Sequence, residues 1–165
     1  MSETKHLYDL DEQLKRSVEW VKYAETKNAI AIGLLGAAFI DVCNPNMWAT
    51  VCGKILIIFS VIQLVLLICS FIPRFSSPLC FKRNCVKLNF HYFGDISRVS
   101  LDEYRSKLKA TYPKLDESSK YFEDITHQIH INCEIAMVKF KIFMFVCYLM
   151  FVSGMSFILH SLLGL

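Results

Sequence analysis

Ile142 to Leu163 runs for 22 residues without an Asp, Glu, Lys or Arg. At the helical rise of 1.5 Å per residue that length crosses the roughly 30 Å hydrocarbon core of a bilayer. A second stretch, Val51 to Ile72, is as long and interrupted only by Lys54 and Gln63. Two such stretches in 165 residues leave little chain for an independent soluble core. The composition agrees: 54% of residues are hydrophobic and 20% charged, more apolar and less charged than soluble domains usually are.

Between Leu7 and Lys27 the apolar residues Leu7, Leu10, Leu14, Val18 and Val21 recur every three or four positions, with Ala24 or Glu25 next in the series. This is the period of an amphipathic helix. No proline or loop cluster separates it from Asn28 to Ile40, so the spacing predicts one helix running on into a first span, with Trp20 and Tyr23 as interfacial anchors. That span is short, with 13 residues between Lys27 and Asp41, about 20 Å of helix. Asn44-Pro45-Asn46 marks a turn before the second span, and Pro73-Arg74 ends that span.

Ser76 to Ser97 reads as irregular or short extended structure. Ser100 followed by Glu103 is a capping box, which predicts a short helix from Leu101 to about Ala110, stopped at Tyr112-Pro113. Helix resumes near Asp116 with Phe122, Ile125, Ile129, Asn132, Ala136 and Phe140 on one stripe, and continues into the third span as a stalk. The fold class expected is an all-α membrane protein of about three transmembrane helices, with a small helical cytoplasmic segment between spans two and three. Its domains divide as residues 1–27, an amphipathic helix; 28–72, a transmembrane hairpin; 73–139, a cytoplasmic sensing segment and stalk; and 140–165, the third span.

Lysine and arginine distribution sets the expected orientation. Five precede the first span, twelve lie between Arg74 and Lys141, and none lies between Asp41 and Gly53. By the positive-inside rule the N-terminus and the long segment face the cytoplasm. The opening Met-Ser-Glu-Thr-Lys-His is polar, with no signal-peptide pattern. The seven cysteines form no disulfide framework, and Cys52, Cys69 and Cys147 sit in apolar runs as small hydrophobes.

Several groups of residues carry chemistry. Ala29, Gly33 and Ala37 give the first span a small-residue face on which a second helix backbone could approach, a pattern short stretches also produce by chance. Gln63, at mid-depth in the second span, suits a pore lining or an interhelical hydrogen bond. Cys80-x4-Cys85 and His127-x2-His130-x2-Cys133 fit no common zinc spacing, and the two histidines read as polar positions on the stalk; no metal is expected. No nucleophile-base pair, phosphate-gripping loop or carboxylate signature is visible, so no enzyme is expected. Arg74, Lys82, Arg83, Lys87, His91 and Arg98 alternate with Phe81, Phe90, Tyr92 and Phe93. Cations with stacking faces suit phosphorylated bases, and juxtamembrane cations equally hold an anionic leaflet.

Trp20-Val-Lys-Tyr-Ala-Glu-Thr-Lys27, the Pro73-Arg74 exit, Phe90-His-Tyr-Phe-Gly94-Asp-Ile, Asp102-Glu-Tyr104 and Gln128-Ile-His-x-Asn132-x-x-Ile135-Ala-x-x-Lys139-Phe140 occur in one order over nearly the whole chain. Together they resemble the Pycsar-type transmembrane effectors of bacterial antiphage defence, with Glu25 and Lys27 matching an acidic-x-Lys pattern in that family's first helix. The resemblance implies a multi-pass inner-membrane effector that assembles into a homo-oligomer among membrane lipids. It would respond to a nucleotide made by a neighbouring cyclase or nucleotidyltransferase, and would breach the membrane in abortive infection. On that expectation Lys82, Arg83, His91, Tyr92 and Arg98 hold a cyclic nucleotide or short oligonucleotide, no other cofactor is needed and no long nucleic acid is bound. Ala29, Gly33, Ala37 and Gln63 serve the oligomer or pore. A scaffold protein recruiting a cytoplasmic partner to Leu101–Ala110 is the alternative.

Overall fold

A computed structural model describes residues 2–42, 45, 50–72, 89–112 and 119–163, and every regular element among them is helical. The elements are α1 (Ser2–Val42), α2 (Val51–Phe71), α3 (Phe93–Ile96), α4 (Leu101–Thr111) and α5 (Lys120–Leu163). α1 runs unbroken from the amphipathic stretch through Lys27 into the apolar one, as the absence of a breaker predicts. Gly154 does not interrupt α5 either. The region expected to be irregular or extended resolves, over its described residues, into a turn at Phe90–His91 and the single helical turn of α3. Residues 76–88, the rest of that region, lie outside the described residues.

The chain divides into two compact units. The first draws on residues 1–24 and 74–138, the second on residues 25–73 and 139–165. The core of the first gathers Leu10 of α1, Ile96 and Val99, Tyr104 and Leu108 of α4, and Phe122, Ile125, Ile129 and Cys133 of α5. α4 enters this core because its start is fixed: the Ser100 hydroxyl accepts a hydrogen bond from the Glu103 backbone N–H at 3.2 Å. That is one half of the capping box, and it satisfies an amide with no partner inside the helix.

The buried face of α1 differs from the stripe its leucines and valines predict. Val18 is exposed, whereas Gln13, Ser17 and Ala24 are buried with Leu10. Partners on the other helices explain the shift. Tyr104 Oη donates to Gln13 Oε1 at 3.2 Å, and Asn132 Nδ2 donates to Ser17 Oγ at 3.1 Å. A polar residue is tolerated in a core when its hydrogen bonds are made there, and hydrophobic periodicity cannot see that.

Two helices among the described residues are long and apolar enough to cross a membrane: α2 over Gly53–Phe71, and α5. The apolar part of α1 is not among them, consistent with its 13 uncharged residues. It packs beside them all the same. Ala31 and Leu35 of α1, Leu67 of α2 and Val146 of α5 form one cluster, with Ile32, Leu66, Ile142, Phe143 and Met150 against it.

Burial pushes the Tyr104 phenol and the Cys133 thiol well above their ordinary values of 10.0 and 9.0. Both groups therefore stay protonated in the fold at pH values where the unfolded chain would lose the protons. The unfolded state binds fewer protons there, so stability must fall as pH rises. Thermal or denaturant unfolding followed at Trp20, which packs on Phe93 in this unit, should be level below pH 8 and decline above about pH 9. The decline should reach about 1.4 kcal/mol per pH unit for each ionising group, and should flatten in Cys133→Ala.

Candidate functional site

Of the five residues expected to hold a nucleotide, Lys82 and Arg83 lie outside the described residues; His91, Tyr92 and Arg98 flank α3 and are exposed. Tyr92 is the N-cap residue of α3, and its ring lies across Gly94. A Cβ at Gly94 would stand 2.7 Å from Tyr92 Cζ, so glycine there allows the ring its place. Arg98 follows α3, held by its backbone N–H to the Asp95 carbonyl at 3.1 Å. Its guanidinium makes no hydrogen bond or ion pair among the described residues. The aromatic residues of this segment do not act alike. Phe90 and Phe93 turn inward against the core, Phe93 onto Trp20 with ring centroids 5.3 Å apart, and among the described residues of the segment His91 and Tyr92 are left outward.

His91 is drawn to α1 by Arg16, which lies outside the apolar stripe of that helix. Arg16 Nη1 donates to His91 Nδ1 across 3.0 Å, linking positions 75 apart in sequence. A guanidinium can only donate, so in this arrangement Nδ1 of the imidazole is the acceptor. Arg16 also pairs with Glu12, one helical turn away. Asp9, Glu12, Gln13, Arg16, His91 and Tyr112 line an open polar pocket of about 260 Å³. The pocket is mixed in charge: an arriving phosphate meets Arg16 but also the carboxylates of Asp9 and Glu12. The recognisable signal for Glu12 and Arg16 was their i,i+4 spacing, which marks an intrahelical pair and says nothing of His91.

The two histidines read as polar positions on the stalk also separate. His127 is exposed, but His130 is buried, and its Nε2 donates to the Val99 carbonyl at 2.9 Å. Cys133 lies in the core. No group of three or more His, Cys, Asp or Glu among the described residues could hold a metal ion; Cys80 and Cys85 lie outside those residues.

In the second unit Ala29, Gly33 and Ala37 are all exposed, and a Cβ added at Gly33 would touch nothing within 4 Å. Gln63 is fully buried, and its Nε2 donates to Ser153 Oγ of α5 at 3.3 Å. The interhelical hydrogen bond considered for Gln63 is therefore made. A similar rung joins Asn28 Nδ2 of α1 to Ser70 Oγ of α2. Each amide leaves its oxygen, Gln63 Oε1 and Asn28 Oδ1, without a hydrogen bond among the described residues. A buried carbonyl in that state costs about 1–3 kcal/mol.

Near these rungs lies an ion pair absent from the expected sites. Lys139 Nζ sits 2.9 Å from Glu25 Oε1 and 5.8 Å from the centre of the Phe71 ring. Lys27 stands over the Phe143 and Phe140 rings at 5.4 and 5.7 Å. The aromatic faces and the carboxylate together stabilise two cations at the start of an apolar unit.

The outward surface of that unit completes its character. Ile55, Ile58, Val61, Ile62, Val65 and Ile68 of α2 are exposed while Gln63 and Ser70 are buried, the reverse of a helix in water. Polar residues facing inward among helices with apolar outer faces define a helical membrane protein. The Pycsar effector protein domain matches residues 9–165, and the chain belongs to that family. It is thus an antiphage defence effector, of a system in which a partner cyclase supplies a cyclic-nucleotide signal. No curated protein and no solved structure matches the chain.

The Glu25–Lys139 pair is asymmetric in exposure, with the Lys139 side chain 9% exposed and that of Glu25 43%. Removing the carboxylate strands a buried ammonium, whereas removing the ammonium leaves a carboxylate that water can reach. Glu25→Gln should therefore destabilise by about 2 kcal/mol and Lys139→Met by about half of that. The double variant should lose less than the sum, which denaturant unfolding in micelles measures as a coupling energy.

Proposed function

We propose that the protein is an oligomeric, nucleotide-gated pore-forming effector: the first unit senses the nucleotide and the second breaches the inner membrane in abortive infection. The observation that carries this reading is the inverted polarity of the second unit, in a chain whose first unit has mostly polar and charged exposed residues. A domain built only to anchor needs no buried amides, and a soluble sensor needs no apolar outer face. Family membership supplies the cyclic nucleotide as the signal.

In this reading α1 is a third, short span, carried through the bilayer by packing against α2 and α5 rather than by its own length. The N-terminus and the segment from Arg74 onward face the cytoplasm, as the distribution of lysine and arginine favours. Ala29, Gly33 and Ala37 face a second copy of the chain. Lys82, Arg83, His91, Tyr92 and Arg98 take the nucleotide, with Arg16 added because it holds His91 in place. Arg98, with no ion-pair partner among the described residues, suits the phosphate, and the outward ring of Tyr92 suits the base. The protein acts by changing conformation and carries out no turnover. A nucleotide shifts the closed-to-open equilibrium only if it binds the two states with different affinity.

Purified protein in dye-loaded liposomes tests this reading. Leakage should change on adding or removing a 3′,5′-cyclic mononucleotide, taken from a panel and from any nucleotide that copurifies. Arg83→Ala with Arg98→Ala should reduce that response at least about tenfold, the loss of one charge-assisted hydrogen bond or more, while oligomer size on a sizing column stays unchanged. Vesicles that stay sealed under every nucleotide would exclude a pore, and undiminished control in the double variant would remove Arg83 and Arg98 from the site.

A further inference from the structure

The second unit contains more polar chemistry than its packing uses. On α2, Ser60, Gln63 and Ser70 follow one another at spacings of three and seven residues, so they share a helix face. Gln63 and Ser70 are buried, and Ser60 is half-buried. Asn28 of α1 meets Ser70, and Ser153 of α5 meets Gln63. All three helices of the unit thus present hydroxyl or amide groups to one interior seam. Ser60 and Ser153 also line a cavity of about 190 Å³, together with Leu35, Ala38, Met150 and Gly154 among others.

Hydrogen-bond accounting shows what the seam lacks. Ser153 spends its proton within α5, where its hydroxyl donates to the carbonyls of Leu149 at 2.9 Å and Met150 at 3.1 Å. It can accept from Gln63 Nε2 but has no proton left for Gln63 Oε1. Asn28 Nδ2 likewise uses Ser70 as an acceptor, and Asn28 Oδ1 remains unpaired. Both unpaired atoms are acceptors, so what completes them is a donor. A bare cation would need several oxygen ligands at once, and each amide offers one. A water molecule needs two to four polar partners; the Ser153 hydroxyl that holds Gln63 also lines the cavity, where Ser60 supplies another.

We propose that the seam binds water inside the membrane unit, at Gln63 Oε1 and at Asn28 Oδ1, and that this hydrated interior is the route by which small ions cross when the effector opens. The inference rests on the pore-forming reading for its second half only; hydration of the seam stands without it. Over their apolar stretches the outer faces of α2 and α5 are mostly hydrocarbon, whereas the seam carries polar side chains from all three helices. Inward polar groups in membrane helices commonly mark such routes.

Water-edited solid-state NMR of glutamine-labelled protein in phosphatidylethanolamine–phosphatidylglycerol vesicles tests the site directly. The Gln63 side-chain signal, identified by its loss in Gln63→Leu, should receive magnetisation from water nearly as fast as exposed Gln128. A rate as slow as that of the buried Leu67 methyls, measured with leucine labelling, would overturn the proposal. Potassium flux from the same vesicles tests the route. Gln63→Leu should reduce nucleotide-dependent flux at least about tenfold, and Gln63→Glu should shift selectivity toward cations. Ser153→Ala, which keeps the glutamine, should reduce flux in the same direction and guards against a folding defect. A hydrated Gln63 with flux unaltered in all three variants would overturn the route. A hydrated Gln63 with no flux from the parent protein under any nucleotide would instead overturn the pore-forming reading and leave the water site standing.

Discussion

The second unit is ordered by the placement of its polar atoms. In water a helix such as α2 would turn Gln63 and Ser70 outward and bury Ile58, Ile62 and Val65. Here the reverse holds, because in hydrocarbon the apolar side chains gain nothing by leaving the surface and the polar ones lose heavily by staying there. Once Gln63 and Ser70 must face inward, α5 has to present Ser153 and α1 has to present Asn28 at matching heights. The rungs set which faces of the three helices meet. The pairing of Lys139 with Glu25, and of Lys27 with two phenylalanine rings, then fixes where the charged side chains stop.

The first unit obeys ordinary rules for a water-soluble core, with one qualification. Tyr104, Leu108, Phe122, Ile125 and Ile129 form an apolar centre, yet α1 joins it through Gln13 and Ser17 as well as Leu10. Buried hydrogen bonds of this kind add little net stability but specify register, since sliding α1 by one residue would break both the Tyr104–Gln13 and the Asn132–Ser17 hydrogen bonds. α1 and α5 each contribute residues to both units. The same helices that need exact register in one unit also carry Asn28 and Ser153 in the other.

Much of this was legible in the sequence because it depends on local composition. The two long apolar helices, the uninterrupted α1, the capping box at Ser100 and the stop at Tyr112 each follow from residues within a few positions of one another. What was not legible depends on partners far away in the chain. Val18 looks like a core residue until Tyr104 and Asn132 select Gln13 and Ser17 instead. His130 looks like a surface histidine until the Val99 carbonyl claims it. Phe90 and Phe93 look like stacking platforms among cations, and only the fold tells that they point inward while His91 and Tyr92 stay out. Arg16 is the clearest case, since its i,i+4 partner Glu12 accounts for it completely in sequence and its contact with His91 spans 75 positions.

The mixed charge around His91 bears on how a nucleotide could act here. Arg16 already donates to Glu12 and to His91 Nδ1, so a phosphate reaching its remaining N–H groups would compete with Glu12 for the same charge. Binding would then be coupled to a rearrangement on α1 rather than to simple occupation of a ready anion site. Such coupling is what a switch requires, because a ligand that binds both states equally shifts nothing however tightly it binds. In the proposed switch the carboxylates of Asp9 and Glu12 would oppose an anion at Arg16, so a state that moves them away from Arg16 would bind the anion better. Arg98, exposed and with no ion-pair partner among the described residues, would add a charge that need not first leave such a pair.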